Sequence, residues 1–87
     1  MGSKRSLSLD HNVDRFITTL SKDDQNKIFE ILFKALDNPK DFFEKDTEKD
    51  KFRLVIDGAQ KYKIIAKINN KEVSVKKLYL LPNIKLK

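Results

Sequence analysis

The residues best suited to chemistry in this 87-residue chain are cations. Arg53, Lys61, Lys63, Lys67, Lys76 and Lys77 crowd its second half, with Lys51 just ahead of them. Guanidinium and ammonium groups bind phosphate oxygens and stabilise the charge that builds on a phosphorane. Residues 51–87 hold ten basic and two acidic residues, a net of +8. Residues 1–50 hold nine basic and eleven acidic residues, a net of −2, so the whole chain carries +6. A half-chain this one-sided makes a positive field that attracts a polyanion or an acidic protein segment. The plainer alternative is a solvated lysine face that keeps a sheet soluble and its edges unpaired. Only Asp57 and Glu72 interrupt these cations, whereas a purely solubilising face usually mixes its signs.

Phosphodiester cleavage by a 2′-hydroxyl also needs groups that take and give protons. A lysine is a poor base at neutral pH unless neighbouring cations or burial weaken its hold on the proton. Lys61 with Lys63 is a pair of that kind. Tyr62 and Tyr79 could donate or relay a proton. Each also fits a packing role, Tyr62 above all, because it alternates with Ile64 on an apolar face. The single histidine, His11, stands alone where a strand gives way to a helix, a place for capping or solvent exposure.

Other chemistries are excluded or unsupported. There is no cysteine, hence no thiol catalysis, no disulfide and no Cys-ligated zinc. One histidine makes no multi-His metal site. Asp23 and Asp24 suit the first turn of a helix. The acids Asp41, Glu44, Asp46, Glu48 and Asp50 alternate with lysines in a polar stretch and show no metal-ligand spacing. No Gly-rich phosphate loop is present. Neither a metal nor a cofactor is expected.

The length of 87 residues fits one domain spanning 1–87, with one modest core burying roughly 64% of the unfolded surface. The chain is 39% hydrophobic and 37% charged, too apolar for disorder and too charged for a membrane span. No apolar stretch follows Lys4-Arg5 as a signal peptide requires, so a cytoplasmic location and no membrane partner are expected.

Periodicity predicts the elements that must hold the cations. Residues 4–10 alternate after Arg5, giving a short strand with Leu7 and Leu9 on one face. Val13, Phe16, Ile17 and Leu20 form one helical stripe, with Asn12 as the expected N-cap. Ser21 opens a second helix, whose stripe is Ile28, Ile31, Leu32, Ala35 and Leu36, widened by Phe29 and Phe33. Asp37-Asn38-Pro39 ends it. Residues 40–51 read as a surface loop anchored by one or both of Phe42 and Phe43. Three strands follow. The first carries Phe52, Leu54 and Ile56 on one face, and Asp57-Gly58 turns the chain. The second carries Tyr62, Ile64, Ala66 and Ile68 on one face and Lys61, Lys63, Ile65 and Lys67 on the other. The third starts at Val73 and runs to Pro82, with a bulge expected at Lys76-Lys77. The reading is α+β, in the order β-α-α-β-β-β: an antiparallel sheet with two N-terminal helices packed on one face. Arg53, Lys61, Lys63 and Lys67, joined by Lys76 or Lys77, would then form a cationic patch on the other face.

In order and spacing the chain resembles the RelE/ParE superfamily of bacterial and archaeal toxins over nearly its whole length. The likeness runs through Leu7-Ser8-Leu9-Asp10 before a helix, a helix ending at Leu20, and Asp24-Gln25-Asn26-Lys27-Ile28. It continues through Asn38-Pro39, Phe52-Arg53-Leu54, Tyr62-Lys63-Ile64-Ile65 and Val73-Ser74-Val75. The resemblance implies the β-α-α-β-β-β architecture and a toxin of a type II toxin-antitoxin system. RelE-like members cleave messenger RNA on the ribosome and so inhibit translation. ParE-like members poison DNA gyrase, and an antitoxin holds both inactive. By position, Arg53 and Lys63 look like the basic strand residues that contact RNA phosphate. The family usually has an arginine or a histidine-arginine pair after the last long strand and often a C-terminal tyrosine. Here the stretch reads Leu78-Tyr79-Leu80-Leu81-Pro82-Asn83, so only Lys76, Lys77 and Tyr79 could substitute. Besides a small intracellular interaction domain with no toxin role, two readings stay open. One is an mRNA interferase using Arg53, Lys61, Lys63 and Tyr79, with Lys51, Lys67, Lys76 and Lys77 as further nucleic-acid contacts. The other is a non-nucleolytic protein of the same fold, a gyrase-directed toxin or a degenerate member, that binds an antitoxin or nucleic acid.

Overall fold

The chain begins its regular structure with a strand that pairs with the last one rather than with its neighbour in sequence. A computed structural model describes residues 5–58 and 60–81. Its elements are β1 (Ser6–Leu9), α1 (His11–Thr18), α2 (Lys22–Asp37), β2 (Glu44–Lys45), β3 (Phe52–Asp57), β4 (Lys61–Ile68) and β5 (Glu72–Leu80), with a 3₁₀ turn at Pro39–Asp41. The five strands lie in the order β1-β5-β4-β3-β2. β3, β4 and β5 are an antiparallel meander, and β2 pairs antiparallel with β3. β1 pairs parallel with β5, so the sheet is mixed.

The fold is therefore α+β with two N-terminal helices, and the expected antiparallel four-strand sheet is corrected on two points. β1 is parallel, because Leu7 and Leu9 alternate in the same way whichever direction the neighbouring strand runs. The stretch expected to be a loop at 40–51 contains the 3₁₀ turn and the two-residue strand β2. Its anchor is Phe43, which is buried, while Phe42 is half-buried. The expected strand start at Lys4 and strand end at Pro82 lie outside the described residues.

Local chemistry sets the boundaries. The Asp10 amide still donates to Val75 of β5 at 3.0 Å, while its carbonyl accepts from Val13 at 2.9 Å and Asp14 at 3.0 Å. The chain thus enters α1 at once, and Asp10, not Asn12, is the N-cap residue. The hydroxyls of Thr18 and Thr19 donate to the carbonyls of Arg15 and Phe16 as α1 closes. The Ser21 side chain accepts from the Asp24 amide and caps α2. At the β4–β5 turn the Asn69 side-chain oxygen accepts the amides of Lys71 and Glu72, each at 2.8 Å.

One core joins both helices to one sheet face. Val13 and Ile17 of α1 and Ile28, Leu32, Ala35 and Leu36 of α2 pack with Leu54, Ile56, Tyr62, Ile64, Ala66, Val73 and Val75. These strand residues alternate along β3, β4 and β5, so among the described residues no helix covers the opposite face of the sheet. No helix among the described residues is long and apolar enough to cross a membrane.

The core holds one polar lock. Asp24 is only 4% exposed and accepts a hydrogen bond from the Tyr62 hydroxyl at 2.5 Å. Burial, the bond to Asp24 and its negative charge push the Tyr62 phenol up to about 12. Gly58 lies so close that a Cβ there would sit 2.9 Å from Asp24 Oδ1. The two acids before the second apolar stripe signal a helix start in the sequence. That one of them would turn inward to a tyrosine 38 residues away is decided only by the fold.

Candidate nucleic-acid interface

The uncovered sheet face carries the cations in cross-strand rows. Arg53 stands opposite Ile65, and Ile65 stands opposite Lys77. In the next row Val55 faces Lys63, and Lys63 faces Tyr79. Asp57 faces Lys61 at one end of the face. Lys67 faces Ser74 at the other. Strands lie about 4.8 Å apart and alternate residues about 6.8 Å apart along a strand, so these groups form one continuous surface.

Ile65 shows how closely the row packs. It points away from the helices and stands outside the core cluster, yet it is only 5% exposed. Its neighbours are Arg53 and Lys77 across the sheet and Lys63 and Lys67 along β4. Long basic side chains in such positions cover an apolar neighbour with their aliphatic stems while their charged ends reach solvent.

A bulge decides which lysine of the Lys76-Lys77 pair joins this row. Ile65 is opposite Lys77, but Ala66 is opposite Val75, so Lys76 is the extra residue. Its ammonium lies 3.6 Å from Asp10 Oδ1. Lys51 is likewise engaged, 3.0 Å from Glu48 Oε1 within the turn that leads into β3. Arg53 Nη2 lies 3.4 Å from Glu44 Oε1. Among the described residues no ion pair engages Lys61, Lys63, Lys67 or Lys77.

The two tyrosines divide. Tyr62 is in the core and bound to Asp24, where its hydroxyl is unavailable to a ligand on the outer face. Tyr79 is 44% exposed, across from Lys63. The packing role open to both from sequence therefore applies to Tyr62, while the parity set by the bulge turns Tyr79 outward. His11 is exposed in the first turn of α1, a helix that packs on the inner face. The acids at 41–50 do not gather: Asp41 accepts from Asn38, Glu44 pairs with Arg53, and Glu48 pairs with Lys51. Among the described residues no three His, Cys, Asp or Glu side chains come together as metal ligands.

The larger concavity lies elsewhere. A cleft of about 450 Å³ opens where α2 ends, between Arg5, Phe43, Phe52, Ile68 and Asn69. Arg5 donates to the carbonyl of Asn69 at 2.7 Å and to that of Leu36 at 3.4 Å. Its charge is thus placed on the carbonyl end of α2, where a cation is favoured. That arrangement ties three elements together, and Asp37 and Lys40 also line the cleft. A smaller recess of about 180 Å³ sits at the edge of the cationic face, lined by Phe42, Glu44, Arg53, Leu54 and Val55.

The sequence matches no family model and no curated protein. What is established is thus physical: an α+β chain in which, among the described residues, the sheet face opposite the helices presents a row-ordered set of cations and an exposed tyrosine.

Proposed function

We propose that this chain is a RelE-like toxin that holds messenger RNA on the outer face of its sheet and cleaves it on the ribosome, arresting translation. The observation that carries the reading is the cross-strand placement of Arg53, Lys63, Lys77 and Tyr79 on the face opposite the helices. Lys61, Lys63, Lys67 and Lys77, which no ion pair engages among the described residues, provide the phosphate affinity. Arg53 and Lys63 contact the reacting phosphate, and Lys61 adds positive charge beside it. The 2′-hydroxyl oxygen attacks phosphorus, the bond to the 5′-oxygen breaks, and the cations stabilise the phosphorane between. One proton leaves the 2′-hydroxyl and one reaches the departing oxygen. Lys63 faces Tyr79 across β4 and β5: the Lys63 ammonium gives a proton to the departing 5′-oxygen, and the 2′-hydroxyl proton passes to water through the Tyr79 hydroxyl. The matching protein partner is an antitoxin with an acidic segment, and the site of action is the cytoplasm.

A second reading has an observation of its own. The centre of the face holds neither histidine nor carboxylate, since Glu44 and Asp57 stand at its margins. This favours a non-nucleolytic member of the fold that acts on gyrase, or only binds antitoxin or nucleic acid. Controlled expression, with translation and DNA supercoiling followed side by side, separates the two. Translation arrest that disappears in the Arg53→Ala, Lys63→Ala double variant supports the first. Toxicity that survives this double substitution refutes the site, and inhibited supercoiling with normal translation supports the second.

A further inference from the structure

The recess beside Arg53 has features that phosphate binding does not require. β2 pairs only with Phe52 and Arg53, so among the described residues no strand pairs with the edge of β3 beyond it. The Leu81 amide donates to the Lys61 carbonyl, so the backbone polar groups of Lys61 face β5. Alternation turns those of Tyr62 toward β3 and its opposite residue Ile56. The amide and carbonyl of Val55 therefore face the side that β2 leaves open. Phe42, Leu54 and Val55 give the recess apolar walls, and Val55 is 50% exposed. Its polar rim is one carboxylate and one guanidinium, joined only through Arg53 Nη2 and Glu44 Oε1 at 3.4 Å. Among the described residues the second oxygen of Glu44 and the other N–H groups of Arg53 have no further side-chain partner.

A carboxylate repels phosphate, so at this margin it suits a group that presents N–H donors. The recess, about 180 Å³, has volume enough for a single base. Guanine is the base that offers adjacent N1–H and 2-amino donors to a carboxylate and, beside them, the O6 acceptor to an arginine. Adenine and cytosine place an acceptor next to their amino group, and uracil has one N–H between two carbonyls. We propose that this recess takes a guanine base of the strand bound on the outer face, with Glu44 on the N1–H and 2-amino group and Arg53 on O6. Val55 and Phe42 provide apolar contact with the base. The inference rests on the reading that RNA lies on this face.

The test uses a short 2′-O-methyl oligouridylate, which cannot be cleaved, with one central guanine, adenine, cytosine or hypoxanthine. Affinities are measured by fluorescence anisotropy on the full chain. Guanine is expected to bind at least about tenfold better than adenine or cytosine, the scale of one two-point base contact. Hypoxanthine, which lacks the 2-amino group, falls between. The Glu44 side chain is 77% exposed, so Glu44→Gln should fold normally. It should erase the guanine preference while leaving the affinity for plain oligouridylate equal or higher. Equal, salt-sensitive binding of all four oligonucleotides overturns the guanine assignment and leaves the RNA-binding reading standing. A guanine preference that survives Glu44→Gln also overturns the assignment. Binding of none of them overturns both.

Discussion

The number of cations on the outer face fixes how steeply RNA binding should depend on salt. Arg53, Lys61, Lys63, Lys67 and Lys77 share that face, and among the described residues only Arg53 is in an ion pair there. Each phosphate neutralised on a single strand contributes about −0.7 to the slope of log affinity against log salt. Five contacts give about −3.5, and four give about −2.8 if Arg53 stays with Glu44. Raising salt from about 50 to about 200 mM should thus weaken binding roughly 50- to 130-fold. The Lys63→Ala, Lys77→Ala double variant removes two contacts from neighbouring rows, so its slope should fall by about 1.4. The paired control is Lys22→Ala, Lys27→Ala on exposed positions of α2, which should leave the slope unchanged. Anisotropy titration of a labelled single-stranded RNA at four or more salt concentrations measures all three. A slope shallower than about −1 refutes the interface. So does an equal effect of the α2 control.

Two further expectations concern the polar lock beneath the face. Tyr62→Phe removes the hydroxyl that donates to the buried Asp24 carboxylate, so urea denaturation at pH 7 should show a loss of about 1.5–3 kcal/mol. The folded phenol is raised to about 12, above its ordinary 10, so the folded state holds this proton more tightly. That contribution is complete below pH 10 and is lost as pH rises toward 12, so the gap between wild type and Tyr62→Phe should narrow over that range. A gap that stays constant or widens contradicts the assignment. Gly58→Ala places a methyl 2.9 Å from Asp24 Oδ1 and should cost about 1–3 kcal/mol in the same assay. Its effect should shrink in the Tyr62→Phe background, because both substitutions act through Asp24.

The sequence by itself determined the helices, the meander and the sign of the outer face. These are local or periodic properties. The i, i+3, i+4 stripe of α2 sets its buried side, and period 2 in β4 separates Tyr62, Ile64 and Ala66 from Lys61, Lys63 and Lys67. Ser21 is adjacent to the amides it caps, so its role was also legible. The tertiary structure alone decided matters that depend on register between distant segments. The direction of β1 against β5 leaves no trace in the alternation of Leu7 and Leu9. β2 is two residues long, too short for any period, yet it brings Glu44 to Arg53 and ends where the recess opens. The bulge beside Ala66 directs Lys77 and Tyr79 to the outer face, while Lys76 pairs with Asp10. Charge and period thus fixed that a cationic face exists. Which cations remain unpaired on it, and which tyrosine stands among them, follows from strand pairing, because only pairing sets what lies opposite each residue.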